Sequence, residues 1–138
     1  GLRRPQTHMG KTLLAPDYSI YDERRFLKKM GGKVWRTAAM ELSRGCPYTC
    51  TFCCVPMQQH QHRAARNLFA KHKGIDTEVL KKKDPYHREK PIPKFIEEVK
   101  EARDKYKINF IYFIDESFLS MRKERFEQFI ERFGIQTL

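Results

Sequence analysis

The sequence of 138 residues contains no hydrophobic run near the roughly 18 to 20 residues that a membrane-spanning helix requires. No apolar segment follows the basic amino-terminal residues, which argues against a secretory signal peptide. Acidic residues are scarce, since 17 Asp and Glu stand against 28 Lys and Arg, for a formal net charge of +11. We therefore expect a cytoplasmic protein with no membrane partner, whose positive charge suits contact with nucleic acid or another anionic surface.

Cysteine is absent except from one short segment, which holds Cys46, Cys50, Cys53 and Cys54. Cysteines this close together cannot join distant parts of a chain, so a framework of structural disulfides is excluded. Clustered thiols fit a reducing compartment, where they bind metal or carry out redox chemistry. Apolar residues make up 40% of the sequence and aromatic residues 12%, which is typical of a folded chain rather than a disordered one.

The carboxyl-terminal third has the clearest periodicity. Apolar residues recur every three or four positions over residues 93–106 and 121–133 and predict two amphipathic helices, the second closed by Gly134. Between them, residues 108–114 form a nearly continuous apolar run, which predicts a strand buried on both faces of a parallel sheet.

The first two thirds of the chain are less regular. Residues 37–43 predict a short strand and residues 44–54 a loop that holds the cysteines. Residues 1–36 have an irregular pattern typical of an arm or linker. Residues 55–91 are polar and basic and predict an insert with a helix around residues 63–72.

The order of strand, loop, helix, strand, helix and strand indicates βα units and a parallel sheet. We therefore expect an α/β fold, the incomplete amino-terminal portion of a parallel βα barrel of the TIM type, because a full barrel takes about 250 residues. The partial core would span residues 37–138. The chain starts at Gly1 rather than Met, although removal of a tag explains this equally, and residues 135–138 predict the start of another strand. We expect a piece of a longer protein whose partners include the remainder of its own chain.

Three of the cysteines, Cys46, Cys50 and Cys53, form a C-x3-C-x2-C motif, with Phe52 just before the last one. Three thiolates from one loop can hold three irons of a [4Fe–4S] cluster and leave the fourth iron open for another ligand. Adjacent thiols cannot easily reach one cluster together, so we expect Cys54 to be packed or incidental.

Three other interpretations of the motif stay open. Zinc would need a fourth ligand, which His60 or His62 could supply. Cys50 and Cys53 alone match a redox dithiol, and the cysteines could also have no ligand role. A solvated basic segment would account for all the histidines, namely His8, His60, His62, His72 and His87, and for the Lys81–Lys83 run.

The segment Glu41–Cys53, with the sequence ELSRGCPYTCTFC, resembles the signature loop of radical S-adenosylmethionine (SAM) enzymes. Residues 16–25, PDYSIYDERR, and residues 113–118, FIDESF, are similar to the branch of that family that joins a cobalamin-binding domain to the radical domain. The resemblance covers about residues 12–54 and 91–138.

The resemblance implies that Cys46, Cys50 and Cys53 ligate a [4Fe–4S] cluster whose open iron binds the amino and carboxylate groups of SAM. Reductive cleavage of SAM then gives a 5′-deoxyadenosyl radical that abstracts hydrogen from a substrate, which the sequence does not identify. The resemblance also implies an electron donor such as flavodoxin or ferredoxin, and it adds cobalamin as a candidate cofactor whose domain is not in these residues. Phe52 would help to seat the adenine.

Asp115 and Glu116 follow the second predicted strand, as the cysteine loop follows the first. Because loops at the carboxyl ends of strands build the site in βα folds, we expect these segments to converge. One of the two acids is expected to bind the ammonium group of SAM; alternatively, both cap the loop before the next helix. Glu41 would point into the barrel or lie on an exposed strand face, and Arg44 would tune the cluster or lie on the surface.

A second function also stays open, that of a basic metal-binding module that holds zinc or an iron–sulfur cluster and binds nucleic acid without catalysis. Residues 1–36 carry nine basic and three acidic side chains and residues 55–91 carry nine and four, whereas residues 92–138 carry nine of each. The positive charge thus belongs to two segments, which would contact RNA or an acidic neighbouring domain. If the chain belongs to a radical SAM enzyme, we expect this chain alone to lack catalytic activity, because the later strands of the barrel complete the SAM and substrate pockets.

Overall fold

The computed structural model describes residues 15–83 and 85–134. The strands are β1 (Leu27–Met30), β2 (Lys33–Met40), β3 (Ser43–Arg44), β4 (Arg88–Glu89) and β5 (Phe110–Phe113). The helices are α1 (Val55–Lys73), α2 (Thr77–Lys83), α3 (Ile92–Tyr106) and α4 (Lys123–Phe133), with short 3₁₀ helices at Tyr18–Ile20, Glu23–Phe26 and Phe118–Ser120. His8 and the strand predicted at residues 135–138 lie outside the described residues.

The first two strands form a β-hairpin where the sequence pattern indicated an irregular arm. β1 pairs antiparallel with β2 along its whole length, and Gly31 and Gly32 make the turn with φ values of +57° and +73°. Glycine adopts these angles without steric cost, and two such residues give a hairpin turn that matches the twist of the strands. The interpretation of residues 1–36 as irregular is therefore wrong for the hairpin, and the boundary placed at residue 36 falls inside β2.

β2 and β5 pair in parallel, from Thr37 opposite Phe110 to Met40 opposite Phe113. This confirms the parallel pairing expected of the two predicted strands. The strand order is β1-β2-β5, and β3 pairs with β4 in a separate two-stranded ladder. Within the described residues these sheets do not close into a barrel, so the partial TIM-type barrel stays a prediction.

One face of the sheet carries the core. Successive side chains of a strand point to opposite faces, so Ala38 and Met40 share a face with Phe113. Phe95 of α3 is fully buried against this face, with its ring centroid 5.7 Å from that of Phe113 and 6.1 Å from that of Phe129 in α4. The same core also buries Tyr18, Phe26, Leu42, Ile92, Ala102 and Ile108. Both carboxyl-terminal helices therefore pack on one side of the sheet.

The helices agree with the sequence in the last third and differ before it. α3 and α4 confirm the predicted helices to within two residues, and Gly134 ends α4 as predicted. The helix predicted around residues 63–72 is only the later part of α1, which begins directly after Cys54 with a proline in its first turn. Within the described part of the chain, no helix combines the length and the hydropathy needed to cross a membrane.

The opposite face of the sheet is largely exposed. Tyr112 and Ile114 are 53% and 52% exposed, and Ala39 beside them is exposed as well. The expectation that residues 108–114 are buried on both faces is therefore wrong for these side chains. The reason is that β5 is an edge strand of the described sheet and that the buried contacts of α3 and α4 lie on the other side.

We predict that the chain self-associates through this exposed face and the free edge of β5, because apolar side chains and unpaired strand edges favour association. Replacing Ile114 with Lys should increase the monomeric fraction in size-exclusion chromatography with light scattering. Leu119→Lys is the control, since Leu119 is also exposed, at 78%, but lies outside the sheet. A wild-type chain that remains monomeric at high concentration would contradict the prediction, as would an equal effect of both substitutions.

Candidate functional site

The carboxyl ends of β2 and β5 are joined by the carboxylate of Asp115. It accepts hydrogen bonds from the backbone N–H of Leu42 at 3.1 Å, from the hydroxyl of Ser43 at 2.7 Å, and from the backbone N–H of Ser43. The N–H of Ile114 donates to the carbonyl of Met40 at 3.0 Å and continues the pairing of the two strands. The structure thus brings together the segment before the cysteine loop and the segment that holds Asp115 and Glu116.

The start of the cysteine loop is fixed by a close backbone contact. β3 and β4 pair just before the loop, and Gly45 follows them with a φ of +86°. A Cβ atom on Gly45 would lie 2.5 Å from the backbone oxygen of Tyr86, a distance that only glycine avoids. The backbone of Tyr86 therefore constrains the conformation of the chain directly before Cys46.

The loop is then held against α1. The side-chain amide of Gln59 donates to the carbonyl of Cys46 at 2.5 Å and to that of Tyr48 at 3.1 Å. The N–H of Cys53 donates to the carbonyl of Cys50 at 3.2 Å, which closes a turn between these two residues. The backbone of the C-x3-C-x2-C motif is therefore tied at its first and last cysteines.

The four cysteines are free thiols at or near the surface. Cys46 is half-buried, whereas Cys50, Cys53 and Cys54 are exposed. The N–H of Val55 in the first turn of α1 donates to Sγ of Cys53 at 3.5 Å, and the amino end of a helix favours negative charge. Cys54 is exposed at the N-cap position of α1, so of its two expected roles the packed one is wrong, whereas the incidental one stays a prediction.

The thiols suit an iron–sulfur cluster chemically, but the loop does not gather them. Three thiols within one loop are a donor set that binds such clusters. Among the described residues, however, no three or more Cys, His, Asp or Glu side chains lie close enough to hold a metal ion. The side chains of the loop would have to turn toward one another before a cluster could be bound.

The histidines divide between solvent and interior. His62 is only 4% exposed and its ring lies 5.6 Å from that of Tyr86, so the expectation of a solvated side chain is wrong there. His60 and His72 are exposed, as predicted, and His87 is half-buried. In the part of the chain that the structure describes, neither His60 nor His62 belongs to a metal-binding group, and zinc gains no support from them.

Tyr86 contacts both the start of the cysteine loop and α1. Its hydroxyl donates to Oε1 of Gln58 at 3.1 Å. Burial raises the pKa of Tyr86, and negative charges on Glu116, Cys54 and Cys46 raise it further. Tyr86 carries no signal in the sequence, because it lies in a segment without periodicity.

The residues predicted to bind SAM have different surroundings. Phe52 is 92% exposed at the tip of the loop, and Glu116 is exposed as well. Asp115 is partly buried and already accepts hydrogen bonds from Leu42 and Ser43. Of the two acids, Glu116 is therefore the one with a side chain available to a ligand, and Asp115 positions the backbone.

Two ion pairs line a cavity of about 290 Å³ near the ends of β2 and β5. Nε of Arg44 donates to Oε2 of Glu41 at 3.0 Å, and of these two side chains Arg44 is exposed and Glu41 is half-buried. Nζ of Lys90 lies 2.6 Å from Oε2 of Glu98, and both side chains are at most 5% exposed. The other carboxylate oxygen of Glu98 is buried without a hydrogen-bond partner among the described residues. The cavity therefore presents charges of both signs.

The chain matches no family model, and its comparison with curated proteins and with solved structures finds no match either. The cysteine motif and its surroundings are therefore the basis on which a function is proposed.

We predict that Asp115→Ala lowers the free energy of unfolding by about 2 to 4 kcal/mol, because it leaves three donors without their charged acceptor. Urea titration followed by circular dichroism would measure the change. The control is Glu116→Ala at the neighbouring exposed position, which should change stability by no more than about 0.5 kcal/mol. Equal losses in both variants would show that Asp115 has no special structural role.

Proposed function

We propose that this chain is part of a radical SAM enzyme in which Cys46, Cys50 and Cys53 ligate a [4Fe–4S] cluster. One observation carries the proposal: a C-x3-C-x2-C loop begins near the carboxyl end of β2, beside the end of its parallel neighbour β5. Active sites of parallel βα folds form at the carboxyl ends of the strands. The bound cluster would supply the electron that cleaves SAM, with flavodoxin or ferredoxin as donor.

The residues of this chain would bind and orient SAM. The exposed ring of Phe52 offers a surface on which the adenine could stack, and Glu116 offers an acidic partner for the ammonium group. Asp115 would act indirectly, by holding the backbone from which the cysteine loop starts. Gln59 would keep the first part of the loop against α1.

Cobalamin remains a proposal that rests on resemblance alone. Residues 16–25, which carry part of that resemblance, form short 3₁₀ helices, and Tyr18 packs in the core. The hydroxyl of Tyr18 donates to the carbonyl of Ala39 at 3.1 Å, and burial raises its pKa to about 12. Within the described residues the role of this segment is therefore to pack against the sheet.

A second candidate function is a basic module that binds nucleic acid around a structural metal. The observation that favours it is the single sign of charge on α1, which carries four Lys and Arg and no Asp or Glu. Zinc or an iron–sulfur cluster would then hold the cysteine loop together without catalysis. One zinc per chain, or an iron–sulfur cluster whose spectrum does not respond to SAM, would support this function over the first.

We predict that anaerobic reconstitution with iron and sulfide gives a brown protein with about four irons per chain. Alanine at Cys46, Cys50 or Cys53 should abolish the visible absorption, because each substitution removes one ligand. Cys54→Ala is the matched control within the same loop and should retain both colour and iron. A colourless protein that holds one zinc would contradict the radical enzyme, and loss of iron in Cys54→Ala would overturn the ligand assignment.

We further predict that Phe52→Ala raises the SAM concentration needed for half of the spectral change of the reconstituted protein by about tenfold. Stacking of a base on an aromatic ring contributes about 1 to 3 kcal/mol, and about 1.4 kcal/mol corresponds to a tenfold change in affinity. Protein stability should not change, since Phe52 is 92% exposed. Tyr48→Ala, at an exposed aromatic residue of the same loop, is the control and should leave the titration unchanged.

A further inference from the structure

A cavity of about 790 Å³ lies between α1 and α2, outside the site described above. The positively charged side chains in its lining are Arg63 and Arg66 of α1 and Lys81 and Lys82 of α2, and Glu78 is the acidic one. The volume falls within the range of about 300 to 1,000 Å³ that is typical of small-molecule sites. A concave site with this charge balance suits an anion.

The positive charge is specific to the two helices that line this cleft. α1 has four Lys and Arg and no acidic residue, and α2 has three Lys and one Glu. In α3 four basic residues are matched by four acidic ones, and in α4 three are matched by three. Like charges around one cavity repel each other, and a bound anion would offset this repulsion. In α3 and α4 the equal numbers of basic and acidic residues make such an anion unnecessary.

Three of the four cationic side chains, those of Arg63, Lys81 and Lys82, are exposed. Lys81 is paired with Glu78 at 3.6 Å, but both side chains are more than 60% exposed, and exposed pairs of this kind contribute little. Arg63 and Lys82 are exposed at the rim. Guanidinium groups form paired hydrogen bonds with phosphate oxygens. A phosphomonoester carries a double negative charge, so it suits a site with several cations better than a singly charged carboxylate does.

The cleft adjoins the cysteine loop. Tyr86 lines the cleft and also contacts Gly45 at the start of the loop, and Gln59 lines the cleft and also holds the carbonyl of Cys46. The rings of Tyr86 and His62 form an aromatic wall near this end. The cavity therefore has room and an aromatic surface for a ring system beyond the phosphate.

We propose that the cleft between α1 and α2 binds a phosphate group carried by a nucleotide-sized ligand, with the body of the ligand directed toward Tyr86. The phosphate belongs either to a free nucleotide or to the 5′ end of an RNA chain. The proposal goes beyond the radical SAM function and does not depend on the presence of a cluster.

The test measures binding of adenosine 5′-monophosphate and of adenosine to the 138-residue chain by isothermal titration calorimetry. The nucleotide should bind and the nucleoside should bind at least about tenfold more weakly, because paired phosphate contacts exceed about 1.4 kcal/mol. The double variant Arg63→Gln, Lys82→Gln should weaken binding of the nucleotide by about tenfold or more. The control variant Lys29→Gln, Lys33→Gln removes the same charge from the exposed β1-β2 hairpin and should bind as the wild type does.

A short RNA with and without a 5′ phosphate identifies the source of the phosphate. Binding of the phosphorylated RNA in competition with the nucleotide would assign the site to an RNA end, whereas binding of the nucleotide alone would assign it to a free nucleotide. The proposal is overturned if the nucleotide does not bind, if adenosine binds as tightly as the nucleotide, or if both double variants weaken binding equally. Iron content is measured on the same variants, so failure of this proposal is distinguishable from failure of the radical SAM function.

Discussion

The carboxylate of Asp115 is the constraint on which the arrangement of the site depends. Leu42, whose N–H it accepts, lies 73 positions earlier in the chain, so this contact closes a very long loop. The entropy lost on closure must be offset by the pairing of β2 with β5 and by the hydrogen bonds of this one side chain. Asp115 binds the backbone of Leu42 and Ser43, at the start of β3, and so holds the segment that leads into the cysteine loop against the end of β5.

The first part of the long crossover between β2 and β5 contributes little to the core described above, in contrast to α3. α1 buries only Val55, His62 and Ala70, whereas α3 contributes the fully buried Phe95 to the core. Lys90, which directly follows β4, connects this part of the crossover to the rest of the fold in two ways. Its N–H donates to the carbonyl of Leu42 at 2.8 Å, and its ammonium group binds Glu98. Breaking a buried ion pair costs about 3 to 5 kcal/mol, so this pair fixes β4 relative to α3 more firmly than a surface pair would.

The sequence was informative where the contacts are local or strongly periodic. α3 and α4 have apolar residues at helical spacing, and the cysteine motif can be read directly because its members lie within one loop. The hairpin has a weak signal in the sequence, because the four residues of β1 include two lysines and do not alternate cleanly. The Gly31 and Gly32 pair is the feature that indicates it. The structural role of Asp115 and the position of Tyr86 could not be predicted, since both depend on neighbours that are distant in sequence.

The excess of positive charge and the cysteine motif suggested two different functions, yet they occupy adjoining surfaces. Tyr86 has its backbone against Gly45 at the start of the cysteine loop and also lines the cleft between α1 and α2. A ligand anchored by its phosphate in that cleft could extend toward the loop without moving the neutral core formed by α3 and α4. The two proposals made above therefore share one residue: the cleft proposed for a phosphate and the loop proposed for a cluster both include contacts of Tyr86. The charge is concentrated on α1 and α2, which directly follow the cysteines, so a change at Tyr86 would act on both surfaces at once.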